Sequence, residues 1–244
     1  MPLQFDSAAC THVGRVRKLN EDSYCEHVAE GVWCVADGMG GYDAGEVASN
    51  MVVSAVSDVV NDVAVAPDLE HKVALIREAI QGVNAQLTVE RTQSPDRGIM
   101  GTTVLTVVAC EQEFACIWAG DSRLYLLRDS GLYQLTKDHS VVQELLDGGV
   151  IHEEEMDSHP QRHVITRAVG AHVKLELDYL AVDLTVGDIL LLCSDGLHSE
   201  ISADQIMAIL SSGESSQSKA SRLVEAALSS QGKDNVTVMV IAVV

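Results

Sequence analysis

Three apolar runs in this sequence each meet an aspartate and a turn-forming residue at one end. The three junctions are Ala36-Asp37-Gly38-Met39-Gly40-Gly41, Ser194-Asp195-Gly196 and Gly232-Lys233-Asp234-Asn235. One such junction alone is an ordinary turn, since Asp-Gly is a common turn dipeptide. Three of them restrict the fold, because short apolar runs bounded by turn residues predict buried strands, and a sheet brings strand ends together.

A fourth aspartate, Asp121, lies between Gly120 and Ser122 at another predicted turn. Carboxylates at such turns suit Mg²⁺ and Mn²⁺, which prefer oxygen ligands and complete an octahedron with water. No histidine accompanies the four aspartates, which argues against zinc. Two such ions about 3.5–4 Å apart stabilise the oxygens of an in-line displacement, so the pattern indicates phosphate ester hydrolysis. Arg17, in a polar loop near Asp22, is the candidate for binding phosphate oxygens through its guanidinium fork.

The charge and the cysteine pattern exclude several classes of protein. Sixteen basic and thirty-six acidic residues give a formal charge of −20, which disfavours nucleic acid and anionic membranes as partners. No apolar run reaches the roughly eighteen residues needed for membrane insertion, and the N-terminus lacks a signal-peptide pattern. The six cysteines never occur at C-x-x-C spacing, so neither a disulfide framework nor a zinc site is indicated. We therefore expect a cytoplasmic protein.

Hydrophobic periodicity predicts strands, two helices, a further series of strands and then more helices. The predicted strands are 3–12, 22–36 with a turn at Glu30-Gly31, 102–110, 113–119, 123–128, 133–135, 174–182, 188–193 and 236–244. The predicted helices are 47–63, 69–91, 141–146, 202–210 and 218–230. This order favours the α+β class, with two mainly antiparallel sheets packed together and a helical layer outside each.

Other segments mark boundaries within this order. Asp43 followed by Glu46 resembles a capping box that starts the first helix, and the segment 92–100 ends the second helix. The segment 150–163 lacks strong periodicity and is predicted to be a mobile surface segment. No long linker divides the chain, so a single domain over residues 1–244 is expected.

Eight short motifs occur in the order found in the metal-dependent protein phosphatases. They are Arg17-Lys18-Leu19-Asn20-Glu21-Asp22, Val35-Ala36-Asp37-Gly38-Met39-Gly40-Gly41, Gly101-Thr102-Thr103, Gly120-Asp121-Ser122-Arg123, Leu135-Thr136-Lys137-Asp138-His139-Ser140, Ile165-Thr166-Arg167-Ala168-Val169-Gly170, Ser194-Asp195-Gly196-Leu197 and Gly232-Lys233-Asp234-Asn235-Val236-Thr237. Over nearly its whole length the chain resembles the bacterial branch of this family, the type 2C serine/threonine phosphatases. The resemblance implies a four-layer α-β-β-α sandwich, which agrees with the periodicity.

The resemblance also implies a set of metal ligands. Asp37 is expected to bridge two Mn²⁺ or Mg²⁺ ions, of which one is also held by the Gly38 carbonyl and the other by Asp195 and Asp234. Asp121, together with Asp195, matches a third, looser metal site of bacterial members. The reaction implied is direct attack on phosphorus by a metal-bridging water or hydroxide, without a phospho-enzyme intermediate.

Further roles follow from the same resemblance. Glu21 and Asp22 correspond to acids that orient metal-bound waters, and Arg17 corresponds to the phosphate-binding arginine. Residues 144–166 correspond to a variable flap beside the site, in which His159 is a candidate substrate contact. The expected partners are phosphorylated proteins, including a bacterial serine/threonine kinase that the phosphatase opposes, and the expected state is a monomer.

One position departs from the family pattern. Some members carry a histidine directly after the Asp-Gly pair, which is thought to protonate the leaving alkoxide, whereas this chain has Met39. A thioether cannot donate a proton, so the source of the leaving-group proton stays unassigned.

Simpler interpretations stand beside these roles. Asp121 could be only a turn residue, and Arg17 only a solvated loop arginine beside Arg15 and Lys18. His159 and His163 have the spacing of a metal pair, but Pro160 and neighbouring arginines favour a surface loop. Two other functions are considered: a catalytically weak module that sequesters a kinase or a phosphoprotein, and a cation buffer. The candidate ligands favour the enzyme, because none is missing and they are spread over about two hundred residues instead of one loop.

Overall fold

The computed structural model describes residues 3–40, 44–93 and 100–244, which form two face-to-face β-sheets with helices on both outer faces. The strands are β1 (Phe5–His12), β2 (Asp22–His27), β3 (Val32–Gly40), β4 (Met100–Thr102), β5 (Val104–Cys110), β6 (Glu113–Ala119), β7 (Arg123–Arg128), β8 (Gly131–Gln134), β9 (Asp178–Asp183), β10 (Ile189–Cys193) and β11 (Val236–Val243). The helices are α1 (Ala44–Asp58), α2 (Val60–Val65), α3 (Leu69–Gln93), α4 (Val141–Asp147), α5 (Glu153–Met156), α6 (Asp195–His198), α7 (Ala203–Leu210) and α8 (Ser216–Ser230).

Every pair of strands assigned a register is antiparallel. One sheet has the order β1-β11-β10-β7-β8 and the other the order β2-β3-β5-β6-β9, with β4 paired to the end of β3. The predicted α+β sandwich of two antiparallel sheets is therefore confirmed. Because consecutive strands often lie in the same sheet, most connections are short.

Three apolar layers hold the four structural layers together. The alternation of side chains along β3 shows how: Val32 and Cys34 face the helices α1 and α3, whereas Trp33 and Val35 face the opposite sheet. A third apolar layer lies between the first sheet and helices α6 to α8. A strand with one face in water alternates apolar and polar residues, but β3 is covered on both faces and is therefore apolar on both. The buried strand β11 is apolar for the same reason.

The strand β3 is longer than its sequence predicted. Periodicity placed its end at Ala36, but the strand continues through Asp37 to Gly40 because Gly38–Gly40 pairs with β4. Asp37 thus lies inside an extended strand, opposite Asp22 of β2. Glycine is unfavourable in strands on average, and pairing with a second short strand offsets that preference here.

The turn at Gly120–Ser122 has a different role from a hairpin tip. It joins β6 to β7, which belong to different sheets, so the chain crosses the sandwich at this point. Asp121 is therefore placed between the two sheets, and it is buried. The turn was predicted, but the change of sheet was not.

Other elements also differ from the prediction, which did not include the short helix α6. The predicted helix 47–63 is divided into α1 and α2, the predicted strand 174–182 begins only at Asp178, and a single helical turn, α5, lies inside the segment predicted to be irregular. The proposed capping residue Asp43 and most of the segment 92–100 lie outside the described residues. Among the described helices, none is both long enough and apolar enough to cross a bilayer.

Candidate active site

Four aspartates reach one end of the sandwich from four different elements. Asp37 comes from β3, Asp121 from the turn between the sheets, Asp195 from the first residue of α6, and Asp234 from the loop before β11. Their proximity is visible in the pKa of Asp37, which is raised well above its ordinary value by burial and then by the charges of Asp22, Asp195, Asp121 and Asp234. The structure thus brings together all the aspartates that were predicted to bind metal.

The pKa values of the neighbouring acids are raised for the same reason. Burial is the largest cause for each, raising the pKa of Asp22 to about 6 and that of Asp121 to about 7. The pKa of Asp195 is raised well above its ordinary value by burial and by Asp121 and Asp234. Several buried carboxylates that oppose one another's ionisation form a site that a divalent cation would stabilise.

Two carboxylate oxygens of the site are left without partners. Among the described residues, Glu21 Oε1 and Asp22 Oδ1 are buried and accept no hydrogen bond, although Asp22 Oδ2 accepts one from the Ser194 hydroxyl at 2.8 Å. A buried carboxylate oxygen without a donor is costly, so such an atom indicates that a water or ion belongs beside it.

The backbone around Asp37 is fixed by Thr103, which lies between β4 and β5. The Asp37 amide donates to Thr103 Oγ1 at 2.9 Å, and the Thr103 amide donates to the Asp37 carbonyl at 2.8 Å. Thr103 Oγ1 also lies 2.8 Å from Ser122 Oγ, beside Asp121. These bonds connect the strand of Asp37 to the turn of Asp121 across the sandwich.

Close backbone contacts explain two of the glycines at the aspartate junctions. A Cβ on Gly38 would lie 2.2 Å from the Gly45 carbonyl oxygen, at the start of α1. A Cβ on Gly196 would lie 2.0 Å from the Asn235 carbonyl oxygen. Both distances are far shorter than a carbon–oxygen contact allows, so each glycine lets two ligand-bearing segments come together.

Asn235 is a residue whose role the sequence did not reveal. Its Oδ1 accepts the Glu21 amide at 2.8 Å, and its Nδ2 donates to the Val13 and Leu19 carbonyls, each at 2.9 Å. It therefore fixes the loop of Arg17 and Glu21 against the loop of Asp234. The Asp-Asn dipeptide was the only signal in the sequence, and it indicated a turn.

Arg17 lies at the open side of the carboxylate cluster. Its Nη2 donates to Asp234 Oδ2 at 2.7 Å, and about half of the side chain is exposed. The hydrogen bond to Asp234 is the largest cause that raises the arginine pKa. A guanidinium that touches a candidate metal ligand and still faces solvent is positioned to contact a phosphate bound at the same ligand.

The flap brings a different histidine to the site from the one singled out in the sequence. His163 Nδ1 lies 3.9 Å from Asp195 Oδ2. The described hydrogen bonds of His159 stay within the flap, to Met156, Gln161 and Arg162. A substrate contact by His159 stays a prediction.

The donor set fits a hard divalent cation. Within the described ranges, no three histidine, cysteine, aspartate or glutamate side chains meet closely enough to hold one ion alone. Mg²⁺ and Mn²⁺ complete their coordination with backbone carbonyls and waters, so carboxylates that approach an ion from separate elements can serve them. The raised pKa values and the two unpartnered oxygens of Glu21 and Asp22 agree with cations and water at this position.

Comparison with known proteins identifies the family. Residues 12–231 match the family described as protein phosphatase 2C. The chain belongs to the protein phosphatase 2C family. It is 37% identical to the serine/threonine phosphatase stp of Listeria welshimeri, over 95% of this chain and 93% of that protein. It is 41% identical to the serine/threonine protein phosphatase PstP of Mycobacterium tuberculosis, over 97% of this chain and 45% of that protein.

Solved structures agree with these relatives. PppA, a regulatory component of the type VI secretion system in Pseudomonas aeruginosa, has a TM-score of 0.90 at 36% identity and covers 100% of this chain and 99% of its own. The catalytic domain of PstP in complex with two manganese ions has a TM-score of 0.89 at 37% identity, over 99% of both chains. The present chain is therefore a metal-dependent serine/threonine phosphatase, as the motifs predicted.

Two histidines of the phosphatase support the turn of Asp121, and neither role was predicted. His139 Nδ1 accepts the Gly120 amide at 3.1 Å, so its Nε2 carries the proton and lies 3.2 Å from Asp178 Oδ2. His198 Nε2 lies 3.1 Å from the Asp121 carbonyl, which only accepts, so this nitrogen is the donor. Burial lowers the pKa of His198 well below its ordinary value, which keeps the ring neutral.

The raised pKa values predict how the stability of the metal-free phosphatase depends on pH. Because the folded-state values of about 7 for Asp121 and about 6 for Asp22 exceed the ordinary 3.8, ionisation of these groups opposes folding. Lowering the pH from about 8 to 6.5 protonates Asp121 in part, which stabilises the fold by about 1 kcal/mol, or roughly 2–4 °C in Tm. Thermal unfolding in chelator measures the effect.

Asp121→Asn is the matched variant for this experiment. The substitution removes the titrating group and preserves the shape of the side chain, so the rise in Tm between the two pH values should become smaller. An unchanged rise would assign the pH dependence to other groups. A metal-free Tm that falls between pH 8 and 6.5 would contradict the raised pKa values.

Proposed function

We propose that this phosphatase hydrolyses phosphoserine and phosphothreonine in proteins with two divalent ions, Mn²⁺ or Mg²⁺, bound at the aspartate cluster, and that it opposes a serine/threonine kinase. The observation that carries the proposal is the group of carboxylates around Asp37, whose pKa values are raised by burial and then by their mutual repulsion. Arg17 is the one arginine or lysine side chain that pairs with this group in the part of the chain described. Divalent cations would supply the missing positive charge.

The proposed ligands are those that the family resemblance implies, and they are supported by the mutual effect of these aspartates on their pKa values. Asp37 would help to hold both ions, the Gly38 carbonyl would serve one of them, and Asp195 and Asp234 would serve the other. Asp121 and Asp195 are proposed to hold a third ion more weakly. The buried, partner-free oxygens of Glu21 and Asp22 are suited to accept hydrogen bonds from water around the ions.

The reaction then depends on positioning and charge. When bound, the ions supply an acidified water nucleophile and positive charge beside the phosphoryl oxygens. Arg17 holds the remaining phosphoryl oxygens through its guanidinium fork and fixes the substrate in line for attack. Met39 has no transferable proton, so proton donation to the leaving group does not come from this position.

The substrate class and the need for metal can be tested together. Purified phosphatase with Mn²⁺ should release phosphate from a phosphothreonine peptide, and excess chelator should stop the release until Mn²⁺ is restored. A peptide of the same sequence with phosphotyrosine is the control and should be a poor substrate. Full turnover in excess chelator would refute the dependence on divalent ions.

Arg17 is the residue whose replacement tests phosphate binding. Arg17→Ala should lower kcat/KM by about tenfold or more, the value of one charge-assisted hydrogen bond at a half-exposed group. The loss should fall mainly on KM if the arginine binds substrate and transition state equally. Arg17→Lys keeps the positive charge but loses the forked guanidinium, so its kcat/KM should lie between those of the unaltered protein and Arg17→Ala. An unchanged kcat/KM in Arg17→Ala would place the phosphate elsewhere.

The alternative is a module that binds a kinase or a phosphoprotein with little catalysis. Such a module usually lacks one of the metal-binding side chains, and here the candidates Asp37, Asp195 and Asp234 are all present. Tight binding of a phosphoprotein without release of phosphate in Mn²⁺ would favour the module. Phosphoproteomics of a deletion strain would identify the kinase and the substrates.

We also propose that the chain works as a single catalytic domain, a monomer located in the cytoplasm, with a mobile flap over residues 144–166. The base of the flap is tied on both sides, because the Val141 amide donates to the Val164 carbonyl at 2.9 Å and the Thr166 amide to the His139 carbonyl at 2.8 Å. A segment that is hydrogen-bonded to the rest of the fold at its base can change its position over the site without disturbing the sheets.

A further inference from the structure

The distribution of free cations on this acidic protein is uneven. Its formal charge is −20, and 36 acidic side chains are available to 16 basic ones. In the described part of the chain, four exposed lysine or arginine side chains have no ion pair or hydrogen bond. They are Arg15, Lys18, Arg162 and Lys233, which we call the basic rim.

The other exposed cations of the described chain all have partners. Away from the aspartate cluster, Lys137 pairs with Asp147, Lys174 with Glu176, and Arg222 with Glu214, each at 2.6 Å. The exposed cations of the described chain away from the aspartate cluster are therefore paired. The four members of the basic rim are the unpaired half of the described exposed cations, and their positions in the fold are what they share.

The members of the basic rim belong to chain segments that border the candidate active site. The Arg15 amide donates to the Gly232 carbonyl at 2.7 Å, which places Arg15 beside Lys233, the neighbour of Asp234. Lys18 follows Arg17, whose guanidinium contacts Asp234.

Arg162 reaches the same opening from the flap. The positive charges of Arg162 and Lys233 both act on His163, whose Nδ1 lies 3.9 Å from Asp195 Oδ2. The basic rim therefore has two sides: Arg15 and Lys18 in the loop after β1, and Arg162 with Lys233 between the flap and the loop before β11.

We propose that the basic rim selects phosphoprotein segments that carry aspartate or glutamate next to the phosphorylated residue. The proposal rests on the proposed function and adds the substrate class. On a protein of charge −20, an acidic segment is repelled by most of the surface, so local cations at the opening determine where it can approach. Because the four side chains are exposed and unpaired, binding an acidic segment breaks no existing ion pair.

Two phosphothreonine peptides that differ only in their flanking residues test this preference. One carries glutamate on both sides of the phosphorylated residue and the other alanine. At low ionic strength the phosphatase should have a kcat/KM about tenfold higher for the glutamate peptide, and the ratio should fall towards one in about 1 M salt, where the Debye length is roughly 3 Å.

The matched variants locate the preference. A quadruple variant should reduce the ratio of kcat/KM between the glutamate and alanine peptides to about twofold or less. Its substitutions are Arg15→Gln, Lys18→Gln, Arg162→Gln and Lys233→Gln. The two substitutions on either side of the rim, made alone, should each cause part of this loss. Lys174→Gln with Arg222→Gln removes two charges away from the opening and should leave the ratio unchanged. A ratio near one in the unaltered protein, or a tenfold ratio that survives the quadruple substitution, would overturn the proposal.

A binding measurement separates this proposal from the proposed function. Fluorescence anisotropy with the same two peptides, carrying a non-hydrolysable phosphonate, reports recognition without turnover. Stronger binding of the glutamate peptide that is lost in the quadruple variant would support the basic rim even if neither phosphopeptide were hydrolysed, and in that case only the proposed function would fail. Equal binding of both peptides, or displacement of the glutamate peptide by a single-stranded oligonucleotide of the same charge, would refute the selection of acidic protein segments.

Discussion

Asp37→Asn is expected to lower kcat/KM with Mn²⁺ by about a thousandfold or more. The reason is that metal ions contribute several kcal/mol of transition-state stabilisation, and each 1.36 kcal/mol is a factor of ten in rate. Asp37 lies between Asp22 on the neighbouring strand and the charges of Asp121, Asp195 and Asp234, so no other side chain can take its central position. Steady-state kinetics on a phosphothreonine peptide measure the loss.

The same substitution should have the opposite effect on stability without metal. The pKa of Asp37 is raised well above its ordinary value, which means that its ionised form opposes folding at neutral pH. Metal-free Asp37→Asn should therefore have a higher Tm than the metal-free unaltered protein. A lower Tm would show that the activity loss comes from misfolding.

Asp129→Asn is a suitable control for these experiments. Asp129 is an exposed turn residue with φ of 51°, a conformation that asparagine tolerates well. Both activity and Tm should be unchanged in this variant. A loss of activity in Asp129→Asn would show that removing a carboxylate far from Asp37 also lowers the rate, so the effect of Asp37→Asn would not be specific to its position.

Asp138→Ala is expected to cause the largest loss of stability, about 3–5 kcal/mol. Arg123 binds the Asp138 carboxylate in a bidentate manner, with Nε 2.9 Å from Oδ1 and Nη2 2.7 Å from Oδ2. The carboxylate is buried and the guanidinium largely so, and removal of the aspartate leaves a buried cation without its partner. For a chain of this length the loss corresponds to a fall in Tm of roughly 6–20 °C.

Asp147→Ala provides the comparison for the buried pair. Asp147 pairs with Lys137 at 2.6 Å, but both side chains are largely exposed, and such pairs contribute little. Urea denaturation of the two variants should show a large shift in midpoint for Asp138→Ala and a small one for Asp147→Ala. Equal shifts would contradict the importance of burial for the Arg123 pair.

The candidate ligands could be predicted because their signal is local. Asp37, Asp195 and Asp234 each stand beside a glycine or asparagine at a junction with an apolar strand, and that pattern is readable in a few residues. The layered fold was equally accessible, since alternating strands and periodic helices indicate which faces are buried. The order of the eight motifs then indicated the family, and the family implied metal-dependent chemistry.

The supporting contacts could not be predicted because they join distant parts of the chain. Thr103 binds the backbone of Asp37 across 66 positions, and Asn235 binds the Glu21 amide across 214. Each of these side chains looks like an ordinary turn or strand residue in sequence. Their partners become apparent only when the register of the sheets is known.

The same limit explains the errors in local structure. The end of β3 was predicted too early because glycines usually terminate strands, whereas pairing with β4 extends it to Gly40. The turn at Gly120–Ser122 was predicted as a turn, but nothing in its composition shows that it connects two sheets. In both places tertiary pairing outweighs local preference.

Counting the Mn²⁺ ions bound per chain, by equilibrium dialysis together with electron paramagnetic resonance, tests the two-ion site most directly. The unaltered phosphatase should bind two Mn²⁺ tightly and give the signal of an exchange-coupled pair. Asp37→Asn should lose both the second tightly bound ion and the coupled signal, because Asp37 is proposed to contact both ions. Binding of a single ion by the unaltered protein, or a coupled pair that persists in Asp37→Asn, would contradict the site.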